Sequence, residues 1–367
     1  MNVLTRRTFL LASGAGALVA MAGCAPTPEK GSASPAAGGV MPEEGARHRA
    51  TWMSLQVDEE VWGEELAPAA RTALQDIART IARYEPVSAL VAKGSAGETD
   101  LEGVHLVEFD ADDLWIRDTG PTFVRTTDGL AGVDFNFNGW GGKQEHDRDA
   151  QVARTVCERA DVPRIRTELV LEGGALEVDG EGTAIITESC VLNENRNPGW
   201  SKQEVEDELE RLLGITHVIW LPGIAGKDIT DGHTDFYARF ARPGVVVAGR
   251  EDDPESYDYA VTRRHLEILG SAVDAKGRRL DVHVLPGPSS VRPEYANDEF
   301  AAGYVNFYVC NGAVIAPQFG DAEADAFAKD TLAELFPDRE IVQLDIDPIA
   351  AGGGGIHCAT QQEPDAR

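Results

Sequence analysis

The strongest constraint on the fold is a unit that the chain repeats. Residues 122–125 turn through Asp128-Gly129 into an extended run at 130–135, and the same pattern of strand, tight turn and strand returns three times. It appears at 175–178 and 183–187 around Asp179-Gly180-Glu181-Gly182, at 235–240 and 245–248 around Pro243-Gly244, and at 304–309 and 313–316 around Asn311-Gly312. Each hairpin leads into a helical period, at 150–160, 201–213, 257–269 and 322–335, and Ser201 with Glu204 supplies a capping box for the second of these. Short extended runs at 217–221, 281–285 and 340–344 complete the units. One ββαβ unit cannot bury its own apolar face, so copies must stack or close into a ring.

The two ends decide between stacking and closure. Near the start, a strand at 50–55 is followed by a helix at 67–84, with Pro68 expected in its first turn, and by a strand at 87–91. This is a unit lacking the first strand of its hairpin. Near the end, a β-prone run at Cys358 has neither hairpin partner nor helix. Joined, the ends make a fifth unit, so the expected architecture is an α/β fold, a five-fold pseudosymmetric α/β propeller whose last strand pairs with its first.

Chemistry-bearing residues fall at the same place in every unit, just before or at the start of the hairpin. They are Asp118, Glu172, His233 with Asp235, Asn306 and Cys358, and in a ring these positions converge on the axis. His233 and Asp235 are two apart, which on an extended strand puts both on one face. Four glycines, 352–355, precede Ile356-His357-Cys358 and let the backbone bring the thiol close to a ligand. Strand alternation would turn the adjacent His357 away and make it a supporting residue. Cys190 and Cys310 lie in apolar runs and are assigned to the core.

Composition excludes some partners. A net charge of −29 disfavours nucleic acid and anionic membrane surfaces and suits a small cation. The five cysteines, Cys24, Cys157, Cys190, Cys310 and Cys358, show no paired metal-ligand spacing, so no zinc site is expected. The N-terminus carries its own signal. Thr5-Arg6-Arg7-Thr8-Phe9-Leu10 forms a twin-arginine region before a short apolar stretch, and Met21-Ala22-Gly23-Cys24 resembles a lipobox whose cysteine is lipidated. Residues 1–24 are therefore expected to be a signal peptide, 25–40 a Pro-, Ser-, Gly- and Ala-rich tether, and 41–367 a single catalytic domain. On this basis the protein is exported and membrane-anchored only through lipid on Cys24.

Several motifs in order carry a family resemblance: Ala50-Thr51-Trp52-Met53, Trp115-Ile116-Arg117-Asp118-Thr119-Gly120-Pro121, Phe137-Asn138-Gly139-Trp140-Gly141-Gly142-Lys143, Leu171-Glu172-Gly173-Gly174, Asn195-Arg196-Asn197-Pro198, Asp231-Gly232-His233-Thr234-Asp235, Tyr304-Val305-Asn306-Phe307 and Gly354-Gly355-Ile356-His357-Cys358. Together they resemble the agmatine deiminase and bacterial-type peptidylarginine deiminase family of guanidino-modifying enzymes. The resemblance implies the five-fold α/β propeller and a deiminase needing no metal or organic cofactor. Cys358 would be the nucleophile, His233 the acid and base, and Asp118 and Asp235 the ligands of the guanidinium nitrogens. Trp115, Glu172 and Asn306 would line the substrate pocket, with Trp115 covering the planar cation.

Agmatine is the leading substrate. Peptidyl-arginine and free arginine stay open for an exported enzyme, and free arginine would need a cation for its carboxylate, with Arg239 and Arg292 as candidates. A reading from another class also stays open: a cell-surface protein that binds guanidino compounds without turnover.

Overall fold

The computed structural model describes residues 38–97 and 101–367; the expected signal peptide, the expected lipidation position Cys24 and most of the expected tether lie outside them. Within 38–367 the chain forms five sheets. The first holds β1 (His48–Ser54), β2 (Val87–Val91) and β3 (Val104–Glu108), all parallel. The second holds β4 (Thr122–Thr126), β5 (Gly129–Asp134) and β6 (Arg164–Arg166), and the third β7 (Leu176–Val178), β8 (Thr183–Thr187) and β9 (His217–Leu221). The fourth is β10 (Ala238–Arg242), β11 (Val245–Arg250) and β12 (Asp281–Pro286), and the fifth β13 (Tyr308–Cys310), β14 (Ala313–Gln318) and β15 (Glu340–Asp345). In the last four, an antiparallel hairpin is followed by a helix and a parallel third strand.

The ends meet as expected. The final strand, β16 (Gln361–Pro364), pairs antiparallel with β1 in a register that sets Trp52 opposite Gln361. With β1, the helix Glu59–Ile81 and β2, it completes the fifth unit from both termini. The third parallel strand β3 and the short β6 were not anticipated from the sequence.

Local chemistry explains the elements. The middle strands β8, β11 and β14 lie between two neighbours and are largely buried, which is why they read as unbroken apolar runs rather than alternating ones. The turns at Gly244 and Gly312 take φ of 78° and 84°, a left-handed conformation that closes tight hairpins and that glycine adopts without penalty. The helix Lys202–Leu213 starts with the expected reciprocal box, Ser201 and Glu204 satisfying each other's backbone donors, and ends on left-handed Gly214. The first helix begins eight residues earlier than expected, at Glu59, and is broken at Gly63, so Pro68 stands inside it rather than in its opening turn. Val40, last residue of the stretch assigned to the tether, exchanges backbone bonds of 2.9 Å with Arg125.

Candidate active site

None of the polar residues at the hairpin entrances lies on a strand. Asp118 is in the helical turn Ile116–Thr119, Glu172 immediately precedes the turn Gly173–Ala175, and His233 and Asp235 flank and enter the turn Thr234–Phe236. Asn306 lies just before β13, and Cys358 is in a turn three residues before β16. The expectation of a shared strand face for His233 and Asp235 is therefore corrected. A compact turn at the inner end of each unit aims its polar side chain at the axis, and glycines provide the space. A Cβ on Gly174 would come within 2.6 Å of His233 Nδ1, 2.9 Å of Asp118 Oδ1 and 3.1 Å of Asp235 Oδ2. Side chains at Gly354 and Gly355 would run into the ring of Trp115 and into Asn306.

The structure brings Cys358, Asp235, Asp118, His233 and Asn306 together. Cys358 Sγ lies 3.5 Å from Asp235 Oδ2 and 3.3 Å from Asn306 Nδ2. Asp118 Oδ1 accepts from the Gly174 N–H at 3.0 Å and stands 3.8 Å from His233 Nδ1, and Asp118 Oδ2 accepts from Trp140 Nε1 at 3.0 Å. Burial pushes the Asp118 carboxyl up, assisted by Asp235 and Glu172 and opposed by His233. Asp235 goes the other way: burial is outweighed by its bond to His357, which holds the carboxyl below its usual range. Its Oδ1 is buried without a hydrogen-bond partner among the described residues. Burial and the two carboxylates Asp235 and Asp118 push the Cys358 thiol well up.

Glu172 is placed behind His233, not toward the thiol. Its Oε1 takes the Arg196 Nε at 2.7 Å, and its Oε2 lies 3.4 Å from His233 Nε2 and 3.3 Å from Cys190 Sγ. Burial works against ionisation, yet His233 and Arg196 hold this carboxyl down at about 2. Asp118, Cys190 and Glu172 in turn overcome burial and hold His233 protonated well above the ordinary imidazole range. Trp115 is buried with its indole 5.8 Å from that of Trp62 and against the glycine run.

His357 supports the site, but not through strand alternation, since it too lies in the turn before β16. Its Nδ1 is 2.7 Å from Asp235 Oδ2 and its Nε2 is 2.9 Å from Glu44 Oε2. Glu44 also meets Arg117 at 3.2 Å and Arg239 at 2.8 Å. Arg239 is fully buried, bonded to Glu177 Oε2 at 2.8 Å and to the Phe307 carbonyl at 2.7 Å. Arg292 is engaged by Asp347 at 3.0 Å and Asp345 at 3.2 Å. Both cations offered for a substrate carboxylate are thus committed within the protein.

The sequence did not single out Trp140, Arg196 or Glu44. The first two sit inside recognisable motifs, and Trp140 carries a further mark: between glycines it takes a left-handed φ of 53°, a strained conformation that aims its indole at Asp118. Glu44 lies 313 residues from His357 and no local pattern joins them.

Comparison with known proteins agrees with this geometry. The model of the Porphyromonas-type peptidyl-arginine deiminase family matches residues 40–364. Agmatine deiminase of Stutzerimonas stutzeri is 41% identical over 357 residues, covering 89% of this chain and 96% of its own. Among solved structures, agmatine deiminase of Enterococcus faecalis superposes with a TM-score of 0.84 at 33% identity, covering 90% of this chain and 97% of that one. A cysteine-to-serine variant of C. jejuni agmatine deiminase with substrate bound superposes at 0.80 and 26% identity, again over 90% and 97%. With its five units closed through β16 and its polar turns gathered at the axis, the chain belongs to the Porphyromonas-type peptidyl-arginine deiminase family, which includes the agmatine deiminases.

Proposed function

We propose that the protein hydrolyses agmatine to N-carbamoylputrescine and ammonia through a covalent intermediate on Cys358. The observation that carries the reading is Asp235, a buried carboxylate 3.5 Å from the thiol with one oxygen unpartnered, facing a second buried carboxylate through Gly174. Such a pair suits a planar cation, whose charge-assisted bonds to carboxylates fix its orientation. Asp235 and Asp118 hold the guanidinium nitrogens. The bound cation offsets the two negative charges that help keep the Cys358 proton in place, that proton passes to solvent, and the thiolate adds to the amidine carbon. His233, kept protonated by its carboxylate neighbours, gives its Nδ1 proton to the departing ammonia. The neutral ring then takes a proton from water, whose oxygen attacks the same carbon, and collapse of the adduct frees Cys358 and the carbamoyl product.

Glu172 and Arg196 act behind His233, fixing the ring and its charge, and Asn306 holds the sulfur from the other side. The engagement of Arg239 and Arg292 supports a substrate without a carboxylate. Ammonia release with agmatine, free arginine and short arginine peptides tests the choice. Agmatine should be turned over far faster than the others, and a preference for either of the others rejects it.

The proposal extends to location: the Arg6-Arg7 leader exports the folded enzyme and Cys24 carries lipid. Fatty-acid labelling of the wild type, lost in Cys24→Ala together with membrane association, is the expected result. An unlabelled, soluble wild type counts against the anchor.

A further inference from the structure

The residues behind His233 have a property that the deiminase reaction does not use. Glu172 Oε2 and Cys190 Sγ come from the unit of the third sheet and His233 Nε2 from that of the fourth, and all three lie within 4.8 Å of one another. Two of the separations are 3.3 Å (Cys190 to Glu172) and 3.4 Å (His233 to Glu172). Zinc bonds of about 2.3 Å to sulfur and about 2.0–2.1 Å to nitrogen and oxygen, at tetrahedral angles, place donor atoms about 3.3–3.6 Å apart. The donor set, one thiol, one imidazole and one carboxylate, is also one that zinc and cadmium favour. No cysteine spacing marks it, because the donors meet only in the folded ring.

We propose that Glu172, Cys190 and His233 form an inhibitory site for a thiophilic divalent cation, separate from the thiol of Cys358. The exchange balances. Cys190 gives up its S–H proton and His233 its Nε2 proton, both to solvent, and one dication takes their place. Two positive charges leave and two arrive, so the buried region keeps its charge, and the site escapes the penalty of an uncompensated ion. Arg196 stays on Glu172 Oε1 and leaves Oε2 as the single ligating oxygen. The fourth position is left for water.

Inhibition follows from the imidazole. With a metal on Nε2, His233 retains a proton on Nδ1 and has no free nitrogen, so it can neither accept the proton of water nor readily give one to ammonia. All three donors are buried, so onset is expected to be slow and to need preincubation.

The test has two arms. Turnover of agmatine is measured after preincubation with Zn2+ or Cd2+, without chelator or added thiol, in the wild type and in Cys190→Ala. With inhibition read in each protein relative to its own metal-free rate, the variant should need on the order of tenfold more metal for half-inhibition. Equal metal sensitivity of the two proteins overturns the proposal. The second arm needs no turnover, and so is independent of the agmatine reading. In Cys358→Ala, Cd2+ should give a thiolate charge-transfer band that disappears when Cys190→Ala is added. A band absent from Cys358→Ala, or unchanged in the double variant, assigns any inhibition to other thiols and rejects the site. Should Cys190→Ala fold poorly, Cys190→Ser replaces it in both arms with the same expected outcomes.

Discussion

At the scale of the residue, the site is a set of charges that constrain one another. Burial and the carboxylates of Asp235 and Asp118 push the Cys358 thiol well up, so on the proposed reading a cation bound between the carboxylates activates the nucleophile. Replacing Cys358 by Ala should abolish turnover and leave the melting temperature near that of the wild type; residual turnover in a clean preparation would sink the assignment. His357 offers a finer test, because each ring nitrogen serves a different carboxylate. Asn at this position can donate toward Asp235, whereas Gln can reach Glu44. If the bond to Asp235 positions it for the guanidinium, His357→Asn should retain kcat/KM better than His357→Gln, by on the order of tenfold, while Gln better preserves thermal stability. The opposite ranking in kcat/KM would make His357 a purely structural partner of Glu44.

Elements show how much of this was legible in the sequence and why the rest was not. The helix Lys202–Leu213 was visible because its capping box and apolar period are local, and Ser201→Ala should cost about 1 kcal/mol in chemical denaturation. The convergence of Asp118, Glu172, His233, Asp235, Asn306 and Cys358 was legible because the same turn recurs in each unit. What the turn does to side-chain direction was not, since a helical or 3-10 turn and an extended strand start can share one short polar sequence. The true place of Glu172, behind His233 rather than in the pocket, depends on Arg196 and Cys190, which belong to the same unit but to different segments. His265, on the helix Tyr259–Ser271, shows the same limit: an ordinary helix position turns out to accept the Gly223 N–H at its Nε2. Burial holds its pKa down at about 4 against 6.5, so the unfolded chain binds more protons between these values and stability falls as pH is lowered through that window. His265→Gln keeps an acceptor and removes the titration. Between pH 7 and 5 the wild type should lose about 2 kcal/mol more stability than the variant, and equal losses would show that His265 does not contribute.

For the whole molecule, the decisive event is closure of the ring. Three of the last four residues of regular structure, β16 (Gln361-Gln362-Glu363-Pro364), are polar by sequence, yet all four are buried. The three polar side chains among them are engaged across the seam. Trp52 Nε1 donates to Glu363 Oε2 at 2.7 Å, Arg49 pairs with the same carboxylate, Arg117 Nη1 donates to Gln362 Oε1 at 2.7 Å, and Gln361 Nε2 donates to the Pro121 carbonyl at 3.0 Å. These bonds tie the terminal segment to the first and second sheets, and Cys358 lies three residues upstream of it. Cys358, the proposed nucleophile, is therefore positioned by the closure and not by its own unit alone. A chain ending at Thr360 keeps Cys358 and every other polar group of the site but leaves β1 an exposed edge and Trp52 and Arg117 without these partners. It should lose nearly all turnover and become sensitive to proteolysis under native conditions. The single change Trp52→Phe tests the same seam more gently: it removes one donor from a buried carboxylate and should cost about 1–3 kcal/mol, lowering stability more than it lowers kcat. A truncated chain that stays protease-resistant and turns over at the wild-type rate would show that the ring holds its site without being closed.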